Sequence, residues 1–444
     1  MLRSGIQHPA RLIPLAFLAL IALGTALLAL PISRAAGVSA PLLTALFTST
    51  SAVCVTGLVI QDTPLYWSTF GQVVIMGLFQ IGGLGIMTGA TFLGLLVSQR
   101  LRLGSRLLAQ AETRSLGLGD LGGVLKLIVV VTVAVELLVA AALAARLWLG
   151  HGQPLDAALW HGLFHSVSAF NNAGFSTWSD NLMGFALDPL VIAPIMLAIV
   201  LGGIGFPVLY EMRREPGQWG KWSIHTRITL VGTACLLLGG TAAIALAEWN
   251  NAATLGGMET GGKLLNALFH SVSARTAGFN SVDVGSMREE TLAVHYVLMF
   301  IGGGSAGTAG GIKVTTFFVL GFVVWAEIRG APDATAFNRR ISADVQRQAM
   351  TVMLLGVSVL AVATLALQSL SDLPLSVLLF ESISAFATVG LSTGITADLP
   401  AAGQLVLVAL MFVGRVGTIT VATALALRSR QITYRYPEER PIVG

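Results

Sequence analysis

The sequence predicts an all-α polytopic membrane protein. Its plan is four parallel helix–pore loop–helix repeats, giving eight transmembrane helices and four re-entrant half-helices around a pseudo-fourfold central pore. Three observations predict this. Of the 444 residues, 55% are hydrophobic and 11% charged, where an ordinary soluble domain carries about 25% charged residues. One short apolar motif recurs in four places across the whole chain. The basic residues segregate by position, as the loops of a membrane protein do.

The motif is clearest at Leu163-Phe164-His165-Ser166-Val167-Ser168-Ala169-Phe170-Asn171-Asn172-Ala173-Gly174-Phe175. Its first seven residues return unchanged at Leu268–Ala274, followed by Arg275-Thr276-Ala277-Gly278-Phe279. Weaker copies run from Leu46-Phe47-Thr48-Ser49 to Thr56-Gly57-Leu58 and from Leu379-Phe380-Glu381-Ser382 to Val389-Gly390-Leu391. From the phenylalanine to the glycine is ten positions in copies one, two and four, and nine in copy three. The phenylalanines lie 117, 105 and 111 residues apart, so the repeat is the architecture of the chain. A helix of about 10 residues covers about 15 Å, half of a bilayer core of about 30 Å. Backbone that stops at membrane depth survives only inside protein or against a wet cavity.

Each unit therefore reads as a span, a half-helix with its loop, and a second span. Repeat one, residues 1–100, has spans at Leu12–Leu30 and Phe70–Val97. Repeat two, residues 101–215, has Leu125–Leu149 and Leu190–Tyr210. Repeat three, residues 216–330, has Ile228–Trp249 and a long segment, Val294–Trp325, that contains residues 302–313. Repeat four, residues 331–444, has Met350–Leu370, Leu405–Leu427 and a C-terminal tail. Arg3 and Arg11 precede the first span, which is long enough to stay in the membrane rather than be cleaved.

Nineteen of the 26 Lys and Arg residues fall in the termini and the loops between repeats: Arg100, Arg102, Arg106, Arg114 and Lys126; Arg213, Arg214, Lys221 and Arg227; Arg329, Arg339, Arg340 and Arg347; and Arg428, Arg430, Arg435 and Arg440 in the tail, with the two N-terminal arginines. Four (Arg34, Arg146, Lys263, Arg288) fall on the opposite side, and Arg275, Lys313 and Arg415 fall within the membrane. Basic loops stay cytoplasmic, so both termini are expected in the cytoplasm of a multi-pass inner (plasma) membrane protein, with the half-helices entering from outside. Parallel repeats about an axis normal to the membrane build a ring. This topology accounts for the basic loops and the net charge of +4, and no nucleic-acid partner is expected. Cys54 and Cys235 are far apart and form neither a disulfide framework nor a metal spacing.

The partly negative C-terminus of each half-helix faces the membrane centre and attracts cations. Beyond it lie Val55-Thr56-Gly57, Asn172-Ala173-Gly174, Thr276-Ala277-Gly278 and Thr388-Val389-Gly390. Extended backbone with inward carbonyls can replace ion hydration, and a glycine permits the dihedral that turns them. One such glycine would read as helix packing; four at one register read as a candidate ion filter, with Cys54, Asn171, Arg275 and Ala387 at its inner end. Asp62, Asp180, Asp283 and Asp398 follow the glycines by 5, 6, 5 and 8 residues. They are candidates for a negative outer vestibule, although aspartate is also a common turn residue.

These loops resemble those of the Trk/Ktr/HKT superfamily of potassium transporters, over the whole chain. The specific forms are Ala52-Val53-Cys54-Val55-Thr56-Gly57-Leu58, Ser168-Ala169-Phe170-Asn171-Asn172-Ala173-Gly174-Phe175 and Arg275-Thr276-Ala277-Gly278-Phe279. The chain length looks most like the Ktr membrane subunit. The resemblance implies potassium uptake, in many members sodium-dependent, by a homodimer seated on a cytosolic nucleotide-binding ring of the RCK/KTN type. The chain itself is expected to bind no cofactor; potassium, with sodium as a transported or coupling ion, is its cargo. With single glycines in place of the longer filter of potassium channels, measurable sodium or rubidium permeation is expected.

The run Gly302-Gly303-Gly304-Ser305-Ala306-Gly307-Thr308-Ala309-Gly310-Gly311-Ile312-Lys313 is too glycine-rich to stay helical. It predicts a mobile loop below the filter. No Gly-Lys-Ser/Thr follows, which excludes a phosphate-cradling loop. By the resemblance it is an intramembrane gating loop whose basic residue is Lys313. Arg415, within Gly414-Arg415-Val416-Gly417, is a costly intramembrane charge and so a functional candidate; the family carries an arginine here too. Facing the cavity, it would raise a barrier to cations and pair with a loop carbonyl. Glu381 and Arg275, in adjacent half-helix regions, are candidates for a structural pair behind the filter. Glu136 is intramembrane without an evident partner. His165 and His270 read as hydrogen-bonded helix residues rather than metal ligands. Two rival readings stand beside a gated pore: a carrier-type cation cotransporter, and an intramembrane enzyme, for which no Ser/His/acid set is convincing.

Overall fold

The computed structural model describes residues 9–105 and 121–417. Arg3, Arg106, Arg114, the tail arginines and the last ten residues of the expected final span lie outside the described residues, as do the side chains of Arg11, Arg100 and Arg102.

The first spans of the four units are α1 (Pro9–Ala29), α5 (Leu121–His151), α9 (Ile224–Glu248) and α13 (Ala343–Leu370). Their half-helices are α2 (Leu42–Val53), α6 (Leu155–Asn171), α10 (Thr260–Ser273) and α14 (Leu375–Phe386). At 12 to 17 residues these span about 18–25 Å, short of a bilayer core of about 30 Å. Three begin directly after a proline (Pro41, Pro154, Pro374), which cannot carry a helix through from upstream. In unit one a single helical turn, α3 (Thr63–Tyr66), follows the loop.

The second spans are α4 (Thr69–Ser105), α7 (Pro189–Gly203) with α8 (Phe206–Arg214), α11 (Glu289–Phe300) with α12 (Val314–Ile328), and α15 (Ala401–Phe412) with a π-turn over Val413–Gly417. Stretches of α4, α5, α9 and α13 are each long and apolar enough to cross a membrane unbroken. The expected continuous span Leu190–Tyr210 is not observed: α7 and α8 meet at 93°. The break falls at Gly205, φ +98°, where a β-carbon would lie 2.3 Å from the Ser305 carbonyl oxygen. The loop of unit three thus occupies the space that a straight helix would need. Units three and four are joined by a β-hairpin, β1 (Thr335–Ala336) and β2 (Arg339–Arg340), which a purely helical reading does not include. Its turn puts both Phe337 and Asn338 at positive φ, the backbone of a two-residue hairpin connection, and it buries Ala334, Ala336 and Ile341 against α12.

Each first span packs on its own half-helix: α1 on α2, α5 on α6, α9 on α10 and α13 on α14. Each second span also packs on the half-helix of the next unit: α4 on α6, α7 on α10, α11 on α14, and α15 back on α2. The last contact closes the ring. In units one, two and four the second span also packs on its own half-helix, and glycines permit that approach: β-carbons at Gly82, Gly202 and Gly414 would lie 2.1, 1.8 and 1.7 Å from the carbonyl oxygens of Val53, Phe170 and Phe386 at the ends of those half-helices. Apolar side chains elsewhere fill the space, with Phe47, Phe164, Phe269 and Phe380 (one per repeat) all fully buried.

Candidate functional site

The four loops that follow the half-helices share one backbone conformation. Val55 and Gly57, Asn172 and Gly174, Thr276 and Gly278, and Thr388 and Gly390 all have positive φ, and the residue between each pair does not. Alternation of this kind turns successive N–H groups to one side of the strand and the carbonyls to the other. The N–H side faces the loop's own half-helix. Thr56 N donates to Ser51 O at 2.7 Å, Ala173 N to Ser168 O at 2.8 Å and Val389 N to Ser384 O at 2.8 Å. In unit three, one residue shorter, Ala277 N donates to Ser273 O at 2.9 Å and Gly278 N at 3.4 Å. The carbonyls therefore face away from the half-helices, towards the space the loops share.

That space is a closed ring. A β-carbon at Gly57 would lie 2.4 Å from Ala173 O, one at Gly174 would lie 2.9 Å from Ala277 O, one at Gly278 2.4 Å from Val389 O, and one at Gly390 2.1 Å from Thr56 O. Each glycine thus abuts the carbonyl preceding the next unit's glycine, and the fourth abuts the first. A side chain at any of these four positions would press on a ring carbonyl, least so at Gly174. The loops are buried: Cys54, Val55, Thr56, Asn171, Ala173, Thr276, Ala277, Ala387, Thr388 and Val389 are 0% exposed, Asn172 1% and Arg275 6%.

The serines beneath the loops were not singled out as functional by sequence, although their recurrence at one register marks them. Ser51 and Ser384 accept from the N–H of Gly57 and Gly390 at 3.1 Å, while Ser168 donates to Phe175 O at 2.8 Å and Ser273 to Phe279 O at 2.5 Å. The preceding serines of three units tie the half-helix to the first span: Ser49 donates to Ile21 O at 2.8 Å, Ser166 to Glu136 O at 2.5 Å and Ser271 to Leu237 O at 2.8 Å.

On one face of the ring lies a cavity of ≈ 380 Å³ lined by all four ring glycines, Asp62 and Asp180. Asp283 and Asp398 are not among its lining residues. Asp283 instead closes its own turn, accepting from Gly285 N at 3.1 Å and Ser286 Oγ at 2.5 Å, and Asp398 is exposed.

On the other face sits the segment 302–313. It leaves the helix after Phe300 and is pinched shut at its base by Gly302 N to Ile312 O at 2.9 Å and Ile312 N to Phe300 O at 3.1 Å. It is packed against the loops. Gly310 N donates to Thr276 Oγ1 at 3.2 Å, and Thr308 Oγ1 to Phe170 O at 3.1 Å. A β-carbon at Gly310 would lie 2.0 Å from Thr388 Oγ1, and one at Gly304 would lie 2.0 Å from Ile204 O. The main chain of Gly304 and Thr308 donates to Gly203 O at 2.8 Å and Gly202 O at 3.0 Å. The close approaches at Gly302, Gly303, Gly304, Gly307 and Gly310 explain why this stretch is glycine; Gly311, at φ +64°, supplies a turn.

Two cations hold adjacent carbonyls of this segment. Arg415 Nη1 donates to Thr308 O at 2.5 Å, and Lys313 Nζ to Ala309 O at 2.6 Å. Neither forms an ion pair among the described residues. Arg415 is 2% exposed, and its Nε and Nη2 have no partner there.

The expected Arg275–Glu381 pair is not formed. Arg275 Nη2 donates to Gly302 O at 3.1 Å and Thr233 Oγ1 at 3.4 Å. Glu381 accepts from Ser392 Oγ, from Thr393 N at 3.3 Å and from Thr396 Oγ1 at 3.2 Å. A main-chain carbonyl and a hydroxyl accept from Arg275, and hydroxyls and a main-chain N–H donate to Glu381, so neither charge turns to the other. Glu136, for which sequence supplied no partner, accepts from Gln80 Nε2 and Asn171 Nδ2, both at 3.2 Å, and Asn171 Nδ2 also bonds Gln80 Oε1. This joins units one and two directly behind the second loop. Glu136→Leu takes the acceptor from the Gln80 Nε2 amide, while Asn171 Nδ2 keeps Gln80 Oε1 and Val167 O, at a cost of about 1–3 kcal/mol. It is expected to lower the melting temperature of the detergent-solubilised protein, with Glu136→Gln nearer the parent. The two histidines are hydrogen-bonded, His165 to His161 O and Ser176 Oγ and His270 to Ser281 N. Among the described residues no group of three or more His, Cys, Asp or Glu is placed to hold a metal.

A sequence model of the TrkH family, described as cation transport protein, matches residues 10–216 and 224–434. The chain is 38% identical to the Ktr system potassium uptake protein B of Bacillus subtilis (strain 168), over 98% of this chain and 97% of that one. It is 37% identical to the protein of the same name from Vibrio alginolyticus, over 98% and 94%. The solved structure of the potassium transporter TrkH from Vibrio parahaemolyticus superposes with a TM-score of 0.68 at 17% identity, covering 93% of this chain and 84% of that one, which shows a shared fold. A ring of four re-entrant loops, an apolar multi-pass chain and a match along nearly its whole length lead to one conclusion: the chain belongs to the TrkH family of cation transport proteins, which are transporters and not enzymes.

Proposed function

We propose that this protein takes up potassium across the plasma membrane through a channel-like pore, with the four loops as its selectivity filter. The observation that carries the reading is the closed ring of Gly57, Gly174, Gly278 and Gly390, each packed on a carbonyl oxygen of the next loop. Dehydrated cations are stabilised where several main-chain oxygens converge. Ion passage needs no rocking of one half against the other, which favours a pore over a carrier. The cavity bearing Asp62 and Asp180 is the outer vestibule, and both termini are cytoplasmic. The segment 302–313, held by Lys313 and Arg415, is the gate. The names of the similar proteins, potassium uptake subunits of Ktr systems, support potassium as the cargo. In the complete system the chain works as a homodimer with a cytosolic nucleotide-binding ring, and sodium acts as a coupling or weakly permeant ion.

The test is uptake of potassium, rubidium and sodium in cells lacking their own potassium uptake, with and without a candidate ring subunit. Saturable potassium uptake that rubidium and, more weakly, sodium compete for is expected, rising when the ring subunit is present. Strict potassium exclusivity would contradict the single-glycine filter. Absence of uptake with every candidate ring, from protein that reaches the membrane, would remove the reading.

A further inference from the structure

The residue after the buried phenylalanine of each half-helix is Thr48, His165, His270 or Glu381. In three units it reaches the strand that leaves the ring, always at a residue eleven positions later. His165 Nε2 meets Ser176 Oγ at 2.9 Å, and His270 Nε2 meets Ser281 N at 3.4 Å. Glu381 bonds Ser392 Oγ and also accepts from Thr393 N at 3.3 Å. All three side chains are 0–1% exposed. The polarity is uniform as well. His165 Nδ1 lies 2.8 Å from His161 O and so carries the proton, which leaves Nε2 to accept from the serine hydroxyl. His270 Nε2 accepts from a main-chain N–H, and Glu381 accepts from hydroxyls. In every case the half-helix supplies the acceptor and the returning strand the donor. Unit one breaks the pattern: eleven residues beyond Thr48 is Val59, and among the described residues no hydrogen bond joins the two.

We propose that His165, His270 and Glu381 are positioning residues, struts that fix the spacing between half-helix and returning strand and so resist contraction of the ring around a smaller ion, with unit one left unbraced. Each strut closes a short loop holding one ring glycine, whose entering side is already tied down by Ser168, Ser273 or Ser384. A carbonyl held at both ends cannot move inward cheaply to meet sodium. A strand held at one end can. Discrimination between ions of different radius therefore depends on the struts, and its weakest quarter is unit one.

This inference rests on the loops being the ion filter, and the experiment separates the two ideas. Ser176→Ala and Ser392→Ala remove a hydroxyl donor from struts two and four, and Ser176→Thr and Ser392→Thr retain it. None of these serines packs in the ring itself. The readouts are sodium competition against rubidium uptake, and the relative concentrations of potassium and sodium needed to raise the melting temperature of the purified protein. The second readout needs no transport. The alanine variants are expected to lose about fivefold in potassium-over-sodium preference, equivalent to about 1 kcal/mol at tenfold per 1.4 kcal/mol, with the threonine variants close to the parent. Unchanged preference in both alanine variants, or an equal loss in alanine and threonine, overturns the struts while leaving the filter intact. A parent protein with no preference between the two ions overturns the filter reading itself.

Discussion

Gly390→Ala is expected to abolish potassium uptake, and Gly174→Ala to leave a measurable part of it. Gly390 sits at φ +94° and Gly174 at φ +70°. The second value is close to the left-handed helical well, which an L-residue enters at about 1–2 kcal/mol; the first lies beyond it. Space separates the two sites further. A β-carbon at Gly390 would lie 2.1 Å from Thr56 O, whereas one at Gly174 would lie 2.9 Å from Ala277 O. The obstructing atom in both cases is a ring carbonyl, so relief can come only by turning away a group that the ion needs. Gly57, at φ +94° and 2.4 Å from Ala173 O, should follow Gly390, and Gly278, at φ +77° and 2.4 Å from Val389 O, should fall between. Strain of about 3 kcal/mol at Gly390 alone corresponds to a loss of about 100-fold or more if it falls on the conducting conformation. Potassium-dependent growth and rubidium uptake in transport-deficient cells, corrected for membrane protein level, measure the series. Uptake within twofold of the parent for Gly390→Ala would mean that ions do not pass through the ring.

The ring was legible because its parts recur. Four copies of one motif fix four half-helices, and parallel units with short connections leave few arrangements besides a cycle. What escaped were features made by contact between units. Gly205 is one of 50 glycines, and only the approach of Ser305 makes it a break. Glu136 meets Gln80 and Asn171 across 56 and 35 residues of sequence, with no periodicity to signal it. The hairpin at 335–340 turns through Phe337-Asn338 without the Asn-Gly or Asp-Gly pair that usually marks such a turn. The expected Arg275–Glu381 pair followed from a sound premise, that buried charge needs a partner. It failed because main-chain carbonyls and hydroxyls served instead. Acidic residues at matching distances from the four glycines suggested a symmetric vestibule; Asp283 shows how readily an aspartate two residues before a free N–H caps its own turn instead.

Arg415→Ala is expected to raise cation flux and to weaken its dependence on any regulatory subunit. The other three units carry paired glycines along their second spans, at Gly82-Gly83, Gly202-Gly203 and Gly302-Gly303, and Gly82 and Gly202 pack on the carbonyls that end their half-helices. Unit four has Gly414-Arg415, so a guanidinium stands where the other units have no side chain. It is 2% exposed, bonds Thr308 O at 2.5 Å, and has no ion-pair partner among the described residues. An unpaired charge so buried is costly, and a residue that only filled space would not need it. Two effects of its removal act in the same direction. At an effective dielectric of about 20, a unit charge opposes any cation brought within about 8 Å of it by about 2 kcal/mol, or about thirtyfold in rate. Loss of the bond to Thr308 also removes one of the two cationic tethers on adjacent carbonyls of the segment, leaving that of Lys313 to Ala309 O. Arg415→Gln separates the two, because it removes the charge but keeps an amide donor. If the barrier is electrostatic, the glutamine variant approaches alanine; if the tether dominates, it stays near the parent. Rubidium flux into liposomes containing the purified chain, without any partner, reads both. Flux equal to the parent in folded Arg415→Ala would remove the arginine from gating altogether.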